Sequence, residues 1–252
     1  MKGDQSQWQK QFRRYKTLET DLKWLRGETI YQRVRDKNGF LIDDKTAKPI
    51  KVDPGYIGKL LNQAAKLRDE SNLGAKFLQR TFGNFEKKMD ERAFNSCVAY
   101  AKREDLFDAG GSERNSLIIS GGVGTGKTHL AAAIANYLVG KGIPALFATF
   151  GEHLESIKEE FDYTDRREYL SKMKNTPMLI IDDLGQENST DWSRQILFDV
   201  FNYRYEHKYP MVITTNLEDK MLREHLGEAL FSRACEVCSM VKTSGRDHRR
   251  QS

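Results

Sequence analysis

The sequence predicts an α/β fold in which a parallel β-sheet is flanked by helices, with a small, mostly helical and basic domain before it. Three observations support this fold. Short apolar runs alternate with helical patterns between residues 117 and 241, a glycine-rich loop follows the first run, and two carboxylates end the third. Strands that alternate with helices form a parallel sheet with both faces covered. In such a sheet the functional site lies beyond the C-terminal ends of the strands.

The elements of this sheet can be placed in order along the chain. Short runs of apolar, partly β-branched residues predict strands at residues 117–120, 145–149, 178–182, 211–214 and 239–241. Apolar residues that recur every three or four positions predict helices at residues 127–140, 152–161, 165–175, 192–207, 218–226 and 228–236. A further helix at 91–102 leads to the first strand through a polar loop.

Residues 1–80 are predicted to form the N-terminal domain, and residues 81–252 the α/β domain. Residues 1–105 carry 23 lysines and arginines against 15 acidic residues, whereas the remaining residues carry 18 against 21. A basic N-terminal half suits an acidic partner, either nucleic acid or a protein surface. Residues 5–35 place an apolar stripe on a basic helix. That pattern fits the core of a small domain and a helix that docks into a partner groove equally well.

Composition limits the location and the chemistry. The 252-residue chain has 38% hydrophobic and 31% charged residues, and no apolar run approaches the roughly 18 residues that a membrane span needs. The polar N-terminal residues lack the apolar segment of a secretory signal, so we expect a cytoplasmic protein with no membrane partner. Three cysteines argue against a disulfide framework, and the lone pair Cys235 and Cys238 is a weak signal for zinc or redox chemistry.

The glycine-rich loop has the spacing of a phosphate-binding loop. Residues 121–128 read GGVGTGKT, which matches G-x-x-x-x-G-K-T. Its glycines allow a tight turn whose N–H groups point at phosphate oxygens. Lys127 supplies positive charge for the β- and γ-phosphates, and the Thr128 hydroxyl can ligate Mg²⁺. We therefore expect ATP to be bound by Gly121, Gly122, Val123, Gly124, Thr125, Gly126, Lys127, Thr128 and His129, at the start of a helix whose dipole favours anions.

Polar residues that end two other strands complete the predicted site. The apolar run 178–181 ends in Asp182, which is placed to hold Mg²⁺, and Asp183, which is placed to orient or deprotonate the attacking water. The run 211–213 ends in two threonines and Asn216. If this strand lies between the other two, Asn216 faces the γ-phosphate; otherwise an asparagine here is an ordinary helix N-cap.

Six stretches together resemble a known group of proteins. They read RTFGNFE (80–86), GGVGTGKTHLAAAIAN (121–136), LIIDDLGQE (179–187), VITTN (212–216), LGEALFSR (226–233) and GRDHR (245–249). Over about residues 80–252 the chain resembles the AAA+ ATPases of the DnaC/DnaI helicase-loader type, with the IstB transposition helpers as relatives. The first stretch and the last two distinguish this group from other proteins with a phosphate-binding loop.

The resemblance implies an ATPase with five catalytic residues: Lys127, Asp182, Asp183, Asn216 and Arg233. Arg233 matches the arginine finger that reaches the nucleotide of a neighbouring subunit, and Arg249 matches a C-terminal arginine that contacts the nucleotide of its own subunit. The resemblance also implies three partners. These are a replicative hexameric helicase bound through the N-terminal domain, single-stranded DNA, and further copies of the chain bound through the ATPase domain.

Three functions fit these residues. The first is a helicase loader, which holds single-stranded DNA on a basic path with stacking aromatics; candidates are Phe150, Tyr163, Arg166, Arg167, Tyr169, Lys172 and Lys174. The second is an IstB-like transposition helper that assembles on duplex DNA and recruits a transposase. The third is a nucleotide-binding interaction module that hydrolyses little ATP. It is suggested by Asp183, where the group often has glutamate, and by Ala229, where the group has arginine.

Overall fold

The computed structural model describes residues 62, 65–103, 105–107, 113–158 and 163–244 of the 252-residue chain. Most of the predicted N-terminal domain lies outside the described residues, and so does Arg249. The N-terminal domain and its boundary at residue 80 therefore stay predictions, as does the role of Arg249.

The described residues contain a single five-stranded sheet. Its strands are β1 (Ser116–Gly121), β2 (Ala145–Thr149), β3 (Met178–Leu184), β4 (Met211–Thr215) and β5 (Cys238–Thr243). They lie in the order β2-β3-β4-β1-β5, and every neighbouring pair is parallel. The five predicted strands and the parallel sheet are confirmed. β4 lies between β3 and β1, which is the condition on which the predicted role of Asn216 depends.

Helices precede and connect the strands. Residues 65–70 are helical, and the helices whose bounds are described are α1 (Ala75–Leu78) and α2 (Glu91–Ala101), before β1, and α3 (Lys127–Gly140), α4 (Phe150–Glu155), α5 (Tyr163–Asn175), α6 (Asp191–Glu206) and α7 (Asp219–Val237). The predicted break between helices at residue 227 is confirmed, because Gly227 has a φ of 74° and kinks α7 there. Within the described part of the chain, no helix is long and apolar enough to cross a membrane.

The core lies in two layers, one on each face of the sheet. Successive side chains of a strand point to opposite faces, so Leu117 and Ile119 pack with α2 and α3, whereas Ile118 packs with α6 and α7. All three are buried. The helices on both faces bury apolar residues against these strands, which explains why the strands read as continuous apolar runs in the sequence.

The residues that precede α2 pack onto the first of these layers. The N–H of Phe147, in edge strand β2, donates a hydrogen bond to the Ser71 carbonyl at 2.9 Å. The Asn136 side chain donates to the carbonyls of Phe77 and Arg80, both at 2.8 Å. The last part of the predicted N-terminal domain is therefore in direct contact with the α/β core.

Arg204 on α6 is fully buried, at 0% exposure. Its guanidinium donates five hydrogen bonds of 2.6–3.2 Å to backbone carbonyls, those of Met173, Lys174, Thr176, Pro177 and Pro210. These carbonyls belong to the end of α5, the approach to β3 and the approach to β4. Burial lowers the pKa of Arg204 to about 9, and the five acceptors compensate the charge that remains at neutral pH.

Candidate nucleotide-binding site

The phosphate-binding loop connects β1 to α3. Gly126 is the N-cap of α3 and has a φ of 90°, a left-handed conformation that glycine adopts without strain. A Cβ at this position would lie 2.9 Å from the ring of Phe85, so the loop also needs glycine for close packing. Gly122 and Val123 are exposed at the tip of the loop, where they leave its backbone open to a ligand.

Lys127 crosses the loop instead of extending into solvent. It is 5% exposed, and its Nζ donates to the carbonyls of Gly121 and Gly122 at 2.9 and 2.7 Å. The same Nζ donates to Asn216 Oδ1 at 2.5 Å. Lys127 and Asn216 are therefore in direct contact, and the ammonium lies at the C-terminal ends of the strands.

Asp182, near the end of β3, is buried at 1% exposure. Its Oδ1 accepts a hydrogen bond of 2.5 Å from the Thr214 hydroxyl on β4. Burial raises the pKa of Asp182 to about 6, and the negative charge of Asp183 adds to this effect. The hydrogen bonds from Thr214 and Thr128 act in the opposite direction. A buried carboxylate with a raised pKa is a good site for a cation, because a bound cation stabilises its charged form.

Asp183 occupies an unusual backbone conformation. Its φ is 53°, and the pairing of β3 with β4 shifts register between Ile181 and Leu184. The N–H of Asp183 donates to the Thr214 hydroxyl at 2.9 Å, so that hydroxyl accepts from one aspartate and donates to the other. Strained conformations of this kind cluster at functional sites. Thr214 holds the Asp182 carboxylate and the Asp183 backbone in place, although sequence patterns assigned a role only to Asn216.

The donor set fits Mg²⁺. The ion prefers a few carboxylate and hydroxyl oxygens and otherwise water and phosphate. Thr128 and Asp182 supply such oxygens, and the Thr128 hydroxyl is close enough to Asp182 to lower its pKa.

His129 is placed differently from the glycines of the loop. One of its ring nitrogens lies 3.0 Å from the Thr81 carbonyl, and its ring packs edge-on against Phe85, with ring centroids 5.2 Å apart. Burial lowers the pKa of His129. Its side chain therefore joins the RTFGNFE stretch (80–86) to the start of α3.

Arg233 lies on α7, away from the other predicted catalytic residues. α7 leads directly into β5, which begins beside Ser116 at the start of β1, whereas the phosphate loop follows the end of β1. The six residues of β5 span about 20 Å, so Arg233 lies near the N-terminal ends of the strands, at the opposite end of the sheet from the phosphate loop. Its guanidinium rests over the rings of Phe198 and Tyr205, at 5.7 and 5.6 Å from their centroids.

Phe150 and Tyr169, two of the aromatic residues considered for single-stranded DNA, pack inward. Phe150 is 1% exposed, and the Tyr169 hydroxyl lies 3.0 Å from the buried ring of His153. Lys172 and Arg167 are exposed on α5. This segment therefore has a basic surface, whereas Phe150 belongs to the protein interior and Tyr169 is half-buried against it.

The lone cysteine pair forms no metal site within the described residues. Cys238 is buried at the start of β5 and Cys235 is exposed on α7. No cluster of three or more histidine, cysteine or acidic residues that could hold a metal occurs in the described ranges.

A contact near the site, between Glu187 and His225, was not predicted from the sequence. Glu187, four residues after Asp183, lies 2.9 Å from His225 Nε2 on α7, and it also accepts a hydrogen bond of 2.8 Å from the Gly185 N–H. Burial opposes ionisation of Glu187, but these hydrogen bonds outweigh it and lower its pKa. The stretch LIIDDLGQE (179–187) was recognised as a motif, yet nothing in the sequence paired its last residue with residue 225.

The fold and the site together define a P-loop nucleotide-binding protein with the strand order of AAA+ ATPases. The sheet order β2-β3-β4-β1-β5 brings the ends of β1, β3 and β4 side by side. The phosphate loop follows β1, Asn216 follows β4, and the acidic pair lies in the last residues of β3.

Comparison with known proteins agrees with this class. The family described as IstB-like ATP binding protein matches residues 57–252. The chain is 33% identical over 185 residues to the uncharacterized protein YqaM of Bacillus subtilis, and this alignment covers 69% of this chain and 57% of YqaM. It is 33% identical over 178 residues to the replicative helicase loader DnaC of Buchnera aphidicola subsp. Baizongia pistaciae, covering 68% and 71% of the two chains.

The crystal structure of the DnaC helicase loader has the same fold. It superposes with a TM-score of 0.58 at 24% identity, over 68% of this chain and all of that one. The chain thus belongs to the family of IstB-like ATP-binding proteins, which are AAA+ ATPases. The match with YqaM spans little more than half of that relative.

Proposed function

We propose that this chain is an ATP-dependent helicase loader in DNA replication, which binds a replicative hexameric helicase and delivers it to single-stranded DNA. The observation that carries the proposal is the contact of Lys127 with Asn216 beside the buried Asp182. It supports ATP hydrolysis at this edge of the sheet. The similarity to a protein named replicative helicase loader supports the use to which hydrolysis is put.

Each residue of the site has a chemical role in this proposal. The N–H groups of residues 121–128 and the Lys127 ammonium bind and neutralise phosphate oxygens. Thr128 and Asp182 hold Mg²⁺, which supplies further neutralisation of phosphate charge when it is bound. Asp183 orients or deprotonates the attacking water, and Asn216 positions it. The aspartate at 183 is one methylene shorter than the glutamate common in the group, so slow turnover is expected, as suits a switch.

Arg233 acts on the nucleotide of a neighbouring copy in this proposal. Its place near the opposite end of the sheet from the phosphate loop supports a role between subunits and argues against a role in its own site. An arginine supplied by a neighbour stabilises charge in the transition state and makes hydrolysis depend on assembly. Arg249 is proposed to contact the nucleotide of its own subunit.

The remaining partners rest on sequence properties and on the relatives. Residues 1–80, which are basic and carry an apolar stripe, are proposed to bind the helicase, and residues 81–252 are proposed to self-associate and to bind single-stranded DNA. ATP would hold the assembly on its partner, and hydrolysis would release it. The proposed location is the cytoplasm.

A binding experiment with purified proteins tests the proposal. The full chain is mixed with the replicative helicase of its host, with and without ATP, and complexes are separated by size-exclusion chromatography with light scattering. Lys127→Ala is the matched control for nucleotide dependence. We expect a complex whose size or lifetime changes with ATP in the wild-type chain and does not change with ATP in the variant. Absence of any complex with the helicase would refute the loader function.

Two other results would redirect the assignment. Binding to duplex DNA in preference to single strands, with growing assemblies in ATP, would favour the transposition-helper function. ATP binding without measurable hydrolysis, unaffected by Asp183→Asn, would favour a nucleotide-binding interaction module. Fluorescence anisotropy with labelled single and double strands, and a phosphate-release assay, distinguish these results.

A further inference from the structure

The last residue of β5 contacts the phosphate-binding loop, although it comes more than a hundred residues later in the chain. Thr243 is the register partner of Gly121, because β5 pairs with β1 along its whole length. It is 6% exposed. Its hydroxyl lies 3.1 Å from the Ser120 carbonyl oxygen and 2.6 Å from the Thr125 hydroxyl. Thr125, in the middle of the loop, lies 2.9 Å from the Gly122 carbonyl.

The two hydroxyls act as a pair. Each has a single proton to donate, and two oxygens at 2.6 Å repel each other unless one of them donates to the other. One proton therefore lies between Thr125 and Thr243. The other is available to one of the two carbonyls, that of Ser120 or that of Gly122. Either arrangement ties the middle of the loop to the strand at the edge of the sheet.

The end of β5 is itself held on both sides. A Cβ at Gly121 would lie 2.5 Å from the Thr243 carbonyl oxygen, so the first glycine of the loop and β5 are in direct backbone contact. On the other side, the N–H and hydroxyl of Ser244 donate to Asp90 at 2.7 and 3.1 Å. The same aspartate accepts from the Ala93 N–H at 2.9 Å and caps α2. Thr243 is thus a fixed point against which the loop can be held.

We propose that Thr243 is a positioning residue for nucleotide binding, which acts through Thr125 to hold the phosphate-binding loop in its binding conformation. The inference rests on the proposed use of this loop for ATP. Thr243 needs no contact with the nucleotide in this role. A loop whose N–H groups already face the ligand binds more tightly, because less conformational freedom is lost on binding.

The experiment compares two substitutions of nearly equal shape. Thr243→Val keeps the branched side chain and removes the hydroxyl, whereas Thr243→Ser keeps the hydroxyl. Dissociation constants for a fluorescent ATP analogue with Mg²⁺ are measured on the full chain, and urea unfolding without nucleotide reports on folding. We expect the valine variant to bind about tenfold more weakly, equivalent to about 1.4 kcal/mol, and the serine variant to bind within about twofold of wild type.

A second substitution on the loop makes the test independent of any folding defect at 243. Thr125→Val removes the other hydroxyl, and we expect the same loss of affinity, with the double valine variant no weaker than either single variant. Valine at 243 binding as tightly as wild type would overturn the inference, and so would fully additive losses from positions 125 and 243. Equal binding by wild type and Lys127→Ala would instead refute the proposed use of the loop for ATP.

Discussion

Replacing Arg204 by methionine is expected to destabilise the chain strongly. The substitution keeps a long, flexible apolar side chain in the interior and removes the donors of five hydrogen bonds to carbonyls. A buried carbonyl left without a donor costs about 1–3 kcal/mol. The bonds to Lys174 and Thr176 are only part-buried, and the Pro210 carbonyl also accepts from the Leu179 N–H at 3.5 Å, so the five losses together cost about 5 kcal/mol. Methionine carries no charge, so the variant avoids the cost of burying a guanidinium, which is several kcal/mol. We expect a net loss of about 3 kcal/mol in the free energy of unfolding.

Urea unfolding followed by circular dichroism measures this change. Arg204→Lys is the matched control, because it keeps the positive charge but has three donors in a different geometry. It should lose part of the stability and fall between wild type and the methionine variant. A methionine variant within about 0.5 kcal/mol of wild type, the range typical of surface substitutions, would show that the five carbonyls do not depend on Arg204.

Four other variants test the site and its surroundings. Asp182→Asn should abolish Mg²⁺-dependent hydrolysis. It should also raise the unfolding free energy of the nucleotide-free chain at pH 7 by about 1–2 kcal/mol, because burial disfavours the charged carboxylate and raises its pKa to about 6. An unfolding free energy below that of wild type in urea titrations would contradict this. Burial lowers the pKa of His153 from 6.5 to about 4. Between these two pKa values the unfolded chain binds more protons than the folded chain, so the free energy of unfolding should fall by about 2 kcal/mol from about pH 7.5 to about pH 5. The variant His153→Gln should not show this fall, and an equal fall in the variant would contradict the role of the histidine. Gly121→Ala should weaken nucleotide binding, because its Cβ would lie 2.5 Å from a backbone carbonyl of β5, whereas Gly74→Ala meets nothing within 4 Å and should bind normally; equal affinities would argue against the close contact. Arg233→Ala should lose assembly-stimulated hydrolysis and regain it when mixed with a phosphate-loop lysine variant that supplies the arginine, and no recovery in a phosphate-release assay would contradict action between subunits.

Several features of the site could be predicted from local sequence alone. The phosphate loop, the acidic pair near the end of β3 and the break at Gly227 each depend on neighbouring residues, through glycine conformations and apolar periodicity. Other features could not be predicted in this way. His129 was grouped with the nucleotide-binding residues because of its position next to Thr128, yet its ring contacts Thr81 and Phe85. A motif places the backbone of a residue but does not determine which surface its side chain packs against.

The sequence by itself determined the class of fold and the motifs of the candidate site, because strand and helix periods and the loop motif are written in consecutive residues. Only the tertiary structure decided that β4 lies between β3 and β1 and so brings Asn216 to Lys127. It also decided that Thr243 contacts Thr125 of the phosphate loop and that Arg204 is an interior residue. These contacts join residues far apart in the chain. They follow from how the sheet orders its strands and from the need of buried polar groups for partners, neither of which is encoded in any short stretch.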